Sequence, residues 1–433
     1  MTKPAHSRTR RTSFRWVIVA LLFVITVFNY VDRTAISYAI QTIAREFELG
    51  DRAVGLVLGA FGAGYFVTTL LGGVAVDRWG AGRVLLIAAV VWSSAMAGAG
   101  IATGVVSLFL ARVLLGVAEG PNFPAMNRAV DVWLNPDERA TALAYSLVAV
   151  PLALAISGPI VTALLATIGW RYLFLLLGLV VLAWLPFWAW LYRDDPAASA
   201  HVSARELGHI RAGAAAGNTA AVAQVFAPAD WRFILTNRTL LANAWAFFVF
   251  GYFLFFFMTW LPDYLARVYR LSLREVGLFS FLPWFVAAVL LWAFGPLSDA
   301  LLRRTGRLRI ARSHLIMTTQ LGAALAVIPV MFVRDVDIVI IFISIAVGLS
   351  MGANSSYFAT IIDVAPKRSG TALGVMDAGF AASGFLAPTI TGYIVSLTGG
   401  FNGAFFLLAA LAASSAIVVF LFHHPDDSVR LES

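Results

Sequence analysis

The sequence predicts an all-α integral membrane protein with twelve transmembrane helices in two pseudo-symmetric bundles of six. Three observations predict it. The 433 residues are 60% hydrophobic and only 12% charged, whereas an ordinary soluble chain carries about 25% charged residues. The 31 basic and 23 acidic side chains are too few to cover soluble domains of this total length. Apolar runs of about 20 residues, the length that crosses a hydrocarbon core, recur twelve times, and the first half of the chain repeats in the second.

The runs begin near Trp16, Val54, Val84, Gly104, Ala142 and Tyr172, and then near Leu240, Val276, Ile310, Asp337, Thr371 and Gly403. Their apolarity is continuous, without the alternation that barrel strands impose, so they read as helices. Lys3, Arg8, Arg10, Arg11 and Arg15 precede the first run like the basic start of a signal peptide. That run is too long, has no small-residue cleavage site and leads straight into Asn29-Tyr30-Val31-Asp32-Arg33, so it is read as a retained first span. Residues 193–238 are Ala/Gly-rich and polar and separate six spans from six. A short helix around Arg205 to Arg211 is possible there, although the composition suits a tether better. The expected organisation is a tail at 1–15, a bundle at 16–192, the linker 193–238, a second bundle at 239–423 and a tail at 424–433.

Basic residues collect on alternate connections: the N-terminus, Arg78/Arg83, Arg303/Arg304/Arg307/Arg309/Arg312 and Lys367/Arg368. Those connections are expected to be cytoplasmic, together with both termini. The net charge of +8 follows from this topology, and no basic face of the kind that binds nucleic acid is formed. Cysteine is absent, which excludes disulfides, thiolate metal sites and a cysteine nucleophile. The six histidines lie in expected tails, loops or a helix end, so no buried zinc site is expected.

Shifting the first half by 222 residues places Tyr30 on Tyr252, Arg45 on Arg267, Val54-Gly55 on Val276-Gly277, Gly73 on Gly295 and Asp77 on Asp299. Further along, at shifts of 230 to 232, Gly116 meets Gly348, Asp131 meets Asp363, Pro136 meets Pro366 and Thr141-Ala142-Leu143 meets Thr371-Ala372-Leu373. Two parallel six-helix bundles imply a cavity between them, opened alternately to either side.

Gly73-Val74-Ala75-Val76-Asp77-Arg78-Trp79-Gly80, echoed by Gly295-Pro296-Leu297-Ser298-Asp299, resembles the cytoplasmic loop signature of the major facilitator superfamily. Its basic end departs slightly, with Arg83 one place late. Asn29 to Arg33, Arg112-Val113-Leu114-Leu115-Gly116-Val117-Ala118-Glu119-Gly120-Pro121, Asn127-Arg128 and Asp363 to Lys367 are similar to the anion:cation symporter branch, whose members include sugar-acid, hexuronate, aldarate and phthalate permeases. The resemblance implies a secondary transporter, in the cytoplasmic (inner) membrane of a bacterium, that takes up a small organic anion with protons. It implies no cofactor beyond the coupling proton, no partners beyond substrate, protons and membrane lipids, and a monomer.

A residue needed only for packing has a similar partner in the other half. Asp32 and Arg33 instead align with Leu254 and Phe255, and Arg112, Glu119 and Arg128 with Ser344, Met351 and Thr360. Each charge in the membrane costs at least about 2–3 kcal/mol, so these are candidate functional groups. Arg112 and Glu119 are seven apart on one helix face, about 10 Å along the axis. Arginine suits an anion because its planar fork binds a carboxylate bidentately and stays charged. The branch resemblance gives Asp32 and Glu119 the proton-coupling role, Arg33 and Arg112 the substrate or the salt-bridge network, and Tyr65 a place near the substrate. A static ion-pair network fixing the first helix to the fourth is the alternative.

In the second bundle, Asn354 and Ser355 head a polar cluster that offers groups to a substrate. Asp377 is an acid where the branch often has an amide, and Ala149-Val150 stand where sugar-acid permeases tend to have glutamine, which leaves room for a less polar or aromatic carboxylate. Gly73, Asp77, Arg78, Asp299 and Arg128 are expected to gate. Gly59, Gly62 and Gly64 read as helix packing positions, and without a G-x-x-x-x-G-K-[ST] motif ATP drive is not expected. Proton-coupled drug or metabolite efflux is the alternative transporter reading. It is weakened because Leu154, Thr162 and Ala163 flank Gly158-Pro159 where exporters carry glycine. No constellation for an enzyme is found.

Overall fold

In a computed structural model, residues 13–212 and 228–427 are described, and they form helices joined by short connections. The basic N-terminal tail before Ser13, much of the linker and the last six residues lie outside them. The first bundle comprises α1 (Arg15–Glu46), α2 (Asp51–Trp79), α3 (Ala81–Gly100), α4 (Val105–Glu119), α5 (Asn122–Trp133) and α6 (Pro136–Leu191). Two short helices follow, α7 (Ala204–Arg211) and α8 (Pro228–Thr236). The second bundle comprises α9 (Arg238–Val268), α10 (Leu273–Thr305), α11 (His314–Val327), α12 (Val336–Gly352), α13 (Asn354–Val364), α14 (Ser369–Thr398) and α15 (Asn402–Phe422).

Eleven helical segments among the described residues are long and apolar enough to cross a membrane. One of them, α6, has 56 residues and breaks at Gly169, where φ is +75°. An unbroken helix of that length would measure about 84 Å, far beyond a hydrocarbon core of roughly 30 Å. The glycine therefore divides α6 into the fifth and sixth crossings, and the expected twelve are present. The fourth crossing is α4 followed by α5, and the tenth is α12 followed by α13. Apolar side chains such as Ile87, Val106, Trp292 and Phe406 are more than half exposed, as a lipid-facing surface requires.

The two bundles meet chiefly through α2 against α14 and α6 against α10. The contacts given by glycines lie toward the start of α2 and the end of α14. A Cβ on Gly55 would stand 2.8 Å from the Pro388 carbonyl oxygen, and one on Gly62 only 2.2 Å from the Gly384 carbonyl carbon. Pro388 has no N–H to offer the Gly384 carbonyl four residues earlier, and that carbonyl faces Gly62. Across the same end, Arg267 of α9 bonds both Asp263 on its own helix and Asp51 of α2. Arg52 donates to the Ser396 hydroxyl at 3.1 Å. At the other end, nothing lies within 4 Å of where a Cβ would sit on Gly73 of α2 or on Gly370 and Gly374 of α14. The molecule is thus closed at the end bearing Asp51 and open at the end bearing Asp77.

Within the linker, the short helix allowed around Arg205 to Arg211 is present as α7. Ser203 caps α7 by accepting from the Glu206 N–H, and Glu206 is buried against Arg15, which also holds Glu138 at 2.8 Å. The helix is docked on the first bundle by charges that composition alone does not reveal.

Candidate functional site

The site is built where α1, α2, α3 and α4 approach one another. Glycine seams bring α2 and α4 into backbone contact: a Cβ on Gly116 would lie 2.0 Å from the Phe61 carbonyl oxygen, and one on Gly64 would lie 2.0 Å from that of Val113. Such proximity sets the Phe61 ring, stacked on Tyr65 at 5.5 Å, beside Arg112 of α4.

Asp32, Arg33, Arg112 and Glu119 are each at most 2% exposed. Arg33 Nε donates to Glu119 Oε2 at 2.7 Å. Its guanidinium also lies 4.7 Å from the Tyr30 ring centre, 4.6 Å from Phe61 and 4.7 Å from Tyr65, a cage of cation–π contacts. Helical side chains lean toward their own N-terminus, and α1 and α4 run in opposite directions. Arg33 therefore reaches along α4, from its backbone near Arg112 to its guanidinium at Glu119. Asp32, pointing elsewhere, accepts from the Trp92 indole of α3 at 2.7 Å. The adjacent pair faces two ways, with Arg33 engaging the fourth crossing and Asp32 the third.

Arg112 differs from the rest. Its Nη2 donates to the Arg33 carbonyl at a long 3.4 Å, its guanidinium carbon lies 5.5 Å from the Phe61 ring centre, and its Nε and Nη1 have no partner. Among the described residues it makes no ion pair. Arg33 Nη2 and Glu119 Oε1 are likewise buried and unsatisfied. Buried polar groups are normally bonded, and a charged one left without a partner costs several kcal/mol. The site therefore has open donors for an anion around the ring of Phe61.

Tyr65 joins this cluster, and Asp377 stands on the opposite wall, within electrostatic range of Tyr65. Asn354 and Ser355 are not brought to the arginines. They lie at the start of α13, with Ser355 Oγ 3.7 Å from where a Cβ on Gly295 would be, and the Asn354 Oδ1 and Ser355 Oγ are unpaired. Of the expected gating group, Asp77 and Arg78 are exposed and make no hydrogen bond or ion pair among the described residues, whereas Asp299 pairs with Arg312 at 3.1 Å, which also reaches Asp363 at 3.3 Å. Arg128 pairs with its neighbour Asp131. Trp260 is fully buried and donates to the Pro388 carbonyl, and Trp245 donates to Ser414, so both are packing residues.

Sequence reasoning passed over Trp92 and Phe61. A tryptophan in the middle of an apolar run must find an acceptor for its indole N–H, and that requirement points to Asp32.

Residues 22–364 and 305–433 match the Major Facilitator Superfamily, and the chain belongs to it. It is a multi-pass membrane transporter and not an enzyme. A probable sulfoacetate transporter from Cupriavidus necator is 31% identical, covering 92% of this chain and 91% of its own. A hexuronate transporter from Bacillus subtilis is 32% identical, with 90% of each covered. Among solved structures, a bacterial homologue of the human lysosomal transporter Spinster, inward-facing and occupied, superposes with a TM-score of 0.77 at 17% identity over 95% of this chain and 97% of that one.

Proposed function

We propose that this transporter carries a small organic anion, a sugar acid or another carboxylate or sulfonate, into the bacterial cytoplasm together with protons, by alternating access. One observation carries the reading: Arg112, buried in the first bundle, has two unpaired donors and makes no ion pair among the described residues. The named cargoes of the relatives at 31% and 32% identity, sulfoacetate and hexuronate, are anions and support it.

Coupling follows from the Arg33–Glu119 pair. While Glu119 is charged it holds Arg33; a proton arriving on Glu119 dissolves the pair and leaves a second guanidinium free for cargo. Proton and anion then favour each other's binding, and the coupling is reciprocal. Asp32, held by Trp92, is the second proton-binding group. The closed end is assigned to the outside and the open end, with Asp77, to the cytoplasm, an orientation that the distribution of basic residues supports. Both termini are then cytoplasmic.

The test is uptake by proteoliposomes of labelled monocarboxylates, aldonates, uronates and aromatic acids, with and without an inward proton gradient. Accumulation of at least one acid that depends on the gradient is expected. Arg112→Ala should cost about 2–5 kcal/mol of cargo binding, roughly 30-fold or more, and Arg112→Lys should rescue it poorly because a point charge cannot reproduce the fork. Near-normal uptake by Arg112→Ala at equal membrane abundance sinks the anion assignment.

A further inference from the structure

Helices α2 and α14 run antiparallel in a register fixed by their glycines: Gly55 against Gly392, Gly59 against Phe385 and Thr389, Gly62 against Gly384. Followed two turns toward the open end, that register sets Asp377 opposite Thr69, whose hydroxyl donates to the Tyr65 carbonyl one turn away. Asp377 interacts electrostatically with Tyr65, and the Tyr65 ring is 4.7 Å from the Arg33 guanidinium. The carboxylate is half-buried and makes no hydrogen bond or ion pair among the described residues. Its helix carries no lysine, arginine or histidine. The repeat gives it no acidic counterpart either, since Thr141 on Thr371 puts Leu147 on Asp377. A packing role explains neither the residue nor its cost in the membrane.

The two walls therefore bear opposite charge, with unpaired arginine donors on one and an unpaired carboxylate on the other. An anion alone satisfies only the first. We infer that Asp377 is a specificity-determining residue that takes the far end of the cargo, so that the favoured substrate is an acid bearing a hydrogen-bond donor, an amine or a hydroxyl, away from its anionic group. A second carboxylate or sulfonate at that end meets Asp377 with like charge and is disfavoured. Sulfoacetate, the cargo in the name of one relative, has two anionic ends, so it belongs to the class disfavoured here. The inference rests on the reading of Arg112 as the anion site.

Two length-matched series test it in proteoliposomes: succinate, 4-hydroxybutyrate and 4-aminobutyrate, and glucarate with gluconate. The wild type should prefer the donor-bearing monocarboxylate over the dianion of an accepted series by about tenfold or more, and Asp377→Asn should reduce or invert that ratio by a similar factor. A wild-type preference for the dianion, or a ratio unchanged in Asp377→Asn, overturns the inference and leaves the anion reading standing. The wild-type ratio decides the matter by itself if the variant fails to reach the membrane. If no acid in either series is taken up or competes with an acid that is, the failure lies with the anion reading, and the inference falls with it.

Discussion

Gly62→Ala adds one methyl group where the two bundles touch. Its Cβ would be 2.2 Å from the Gly384 carbonyl carbon and 2.3 Å from the Phe385 nitrogen, whereas carbon atoms in contact sit about 3.5–4.0 Å apart. Both neighbours are backbone, so no rotamer change relieves the overlap and the helices must separate by more than about 1 Å. Overpacking of this kind costs typically about 1–3 kcal/mol, and here only in the form closed at this end. At 1.4 kcal/mol per factor of ten, the balance between forms shifts by roughly 5- to 150-fold toward the one open at the Asp51 end. The chain has no cysteine, so single introduced cysteines report cleanly. Thr389→Cys sits at the closed seam beside Gly59, and Gly374→Cys faces open space at the other end. In the Gly62→Ala background an impermeant maleimide should label the first faster and the second more slowly. Gly64→Ala is the control, because its clash with the Val113 carbonyl at 2.0 Å lies inside one bundle and should lower abundance without exchanging the labelling. Unchanged labelling at both positions in well-inserted Gly62→Ala would refute the claim that this seam is the closed gate.

Asp32→Asn and Glu119→Gln should each lose proton-driven accumulation, while at least one of them retains counterflow exchange, which needs no net proton movement. If both still accumulate cargo under an imposed pH gradient, these acids are not the coupling pair. Asp77 makes no hydrogen bond or ion pair among the described residues while its end is open, so its removal breaks no such contact in this form. Asp77→Asn should therefore favour the form seen here by about tenfold if a charged hydrogen bond of about 1.5 kcal/mol is made only on closure. Labelling of Gly374→Cys should rise and that of Thr389→Cys should fall, the reverse of Gly62→Ala. Loss of binding with both patterns unchanged would place Asp77 in the site instead of the gate.

The spans were legible because continuous apolarity is a strong signal, and the run starts fall within a few residues of the helix ends. Gly169 was less so, since its φ of +75° is a backbone property that glycine permits without announcing. The four buried charges could be picked out because the repeat supplied an apolar or uncharged comparison at each position. Which acid would meet which arginine was not legible. That depends on helix rotation, and the rotation comes from seams such as Gly64 on Val113 and Gly116 on Phe61. Docking of α7 escaped for a related reason: Arg15, Glu138 and Glu206 are far apart in sequence and look like ordinary surface charges until they meet.

The confinement of Asp32, Arg33, Arg112 and Glu119 to one bundle has an electrical consequence. Two acids and two arginines sum to zero, and Asp377 on the facing wall, if it neither gains nor loses a proton, contributes equally to empty and loaded forms. For a monoanion moving with one proton, the two forms carry the same net charge. A membrane potential, worth about 2.3 kcal/mol per charge per 100 mV, then pulls on both limbs of the cycle equally and drives neither. Such a carrier draws its uphill work from the pH difference alone. A cell with a large voltage and no pH gradient would leave it at equilibrium, whereas an acidic exterior would fill it.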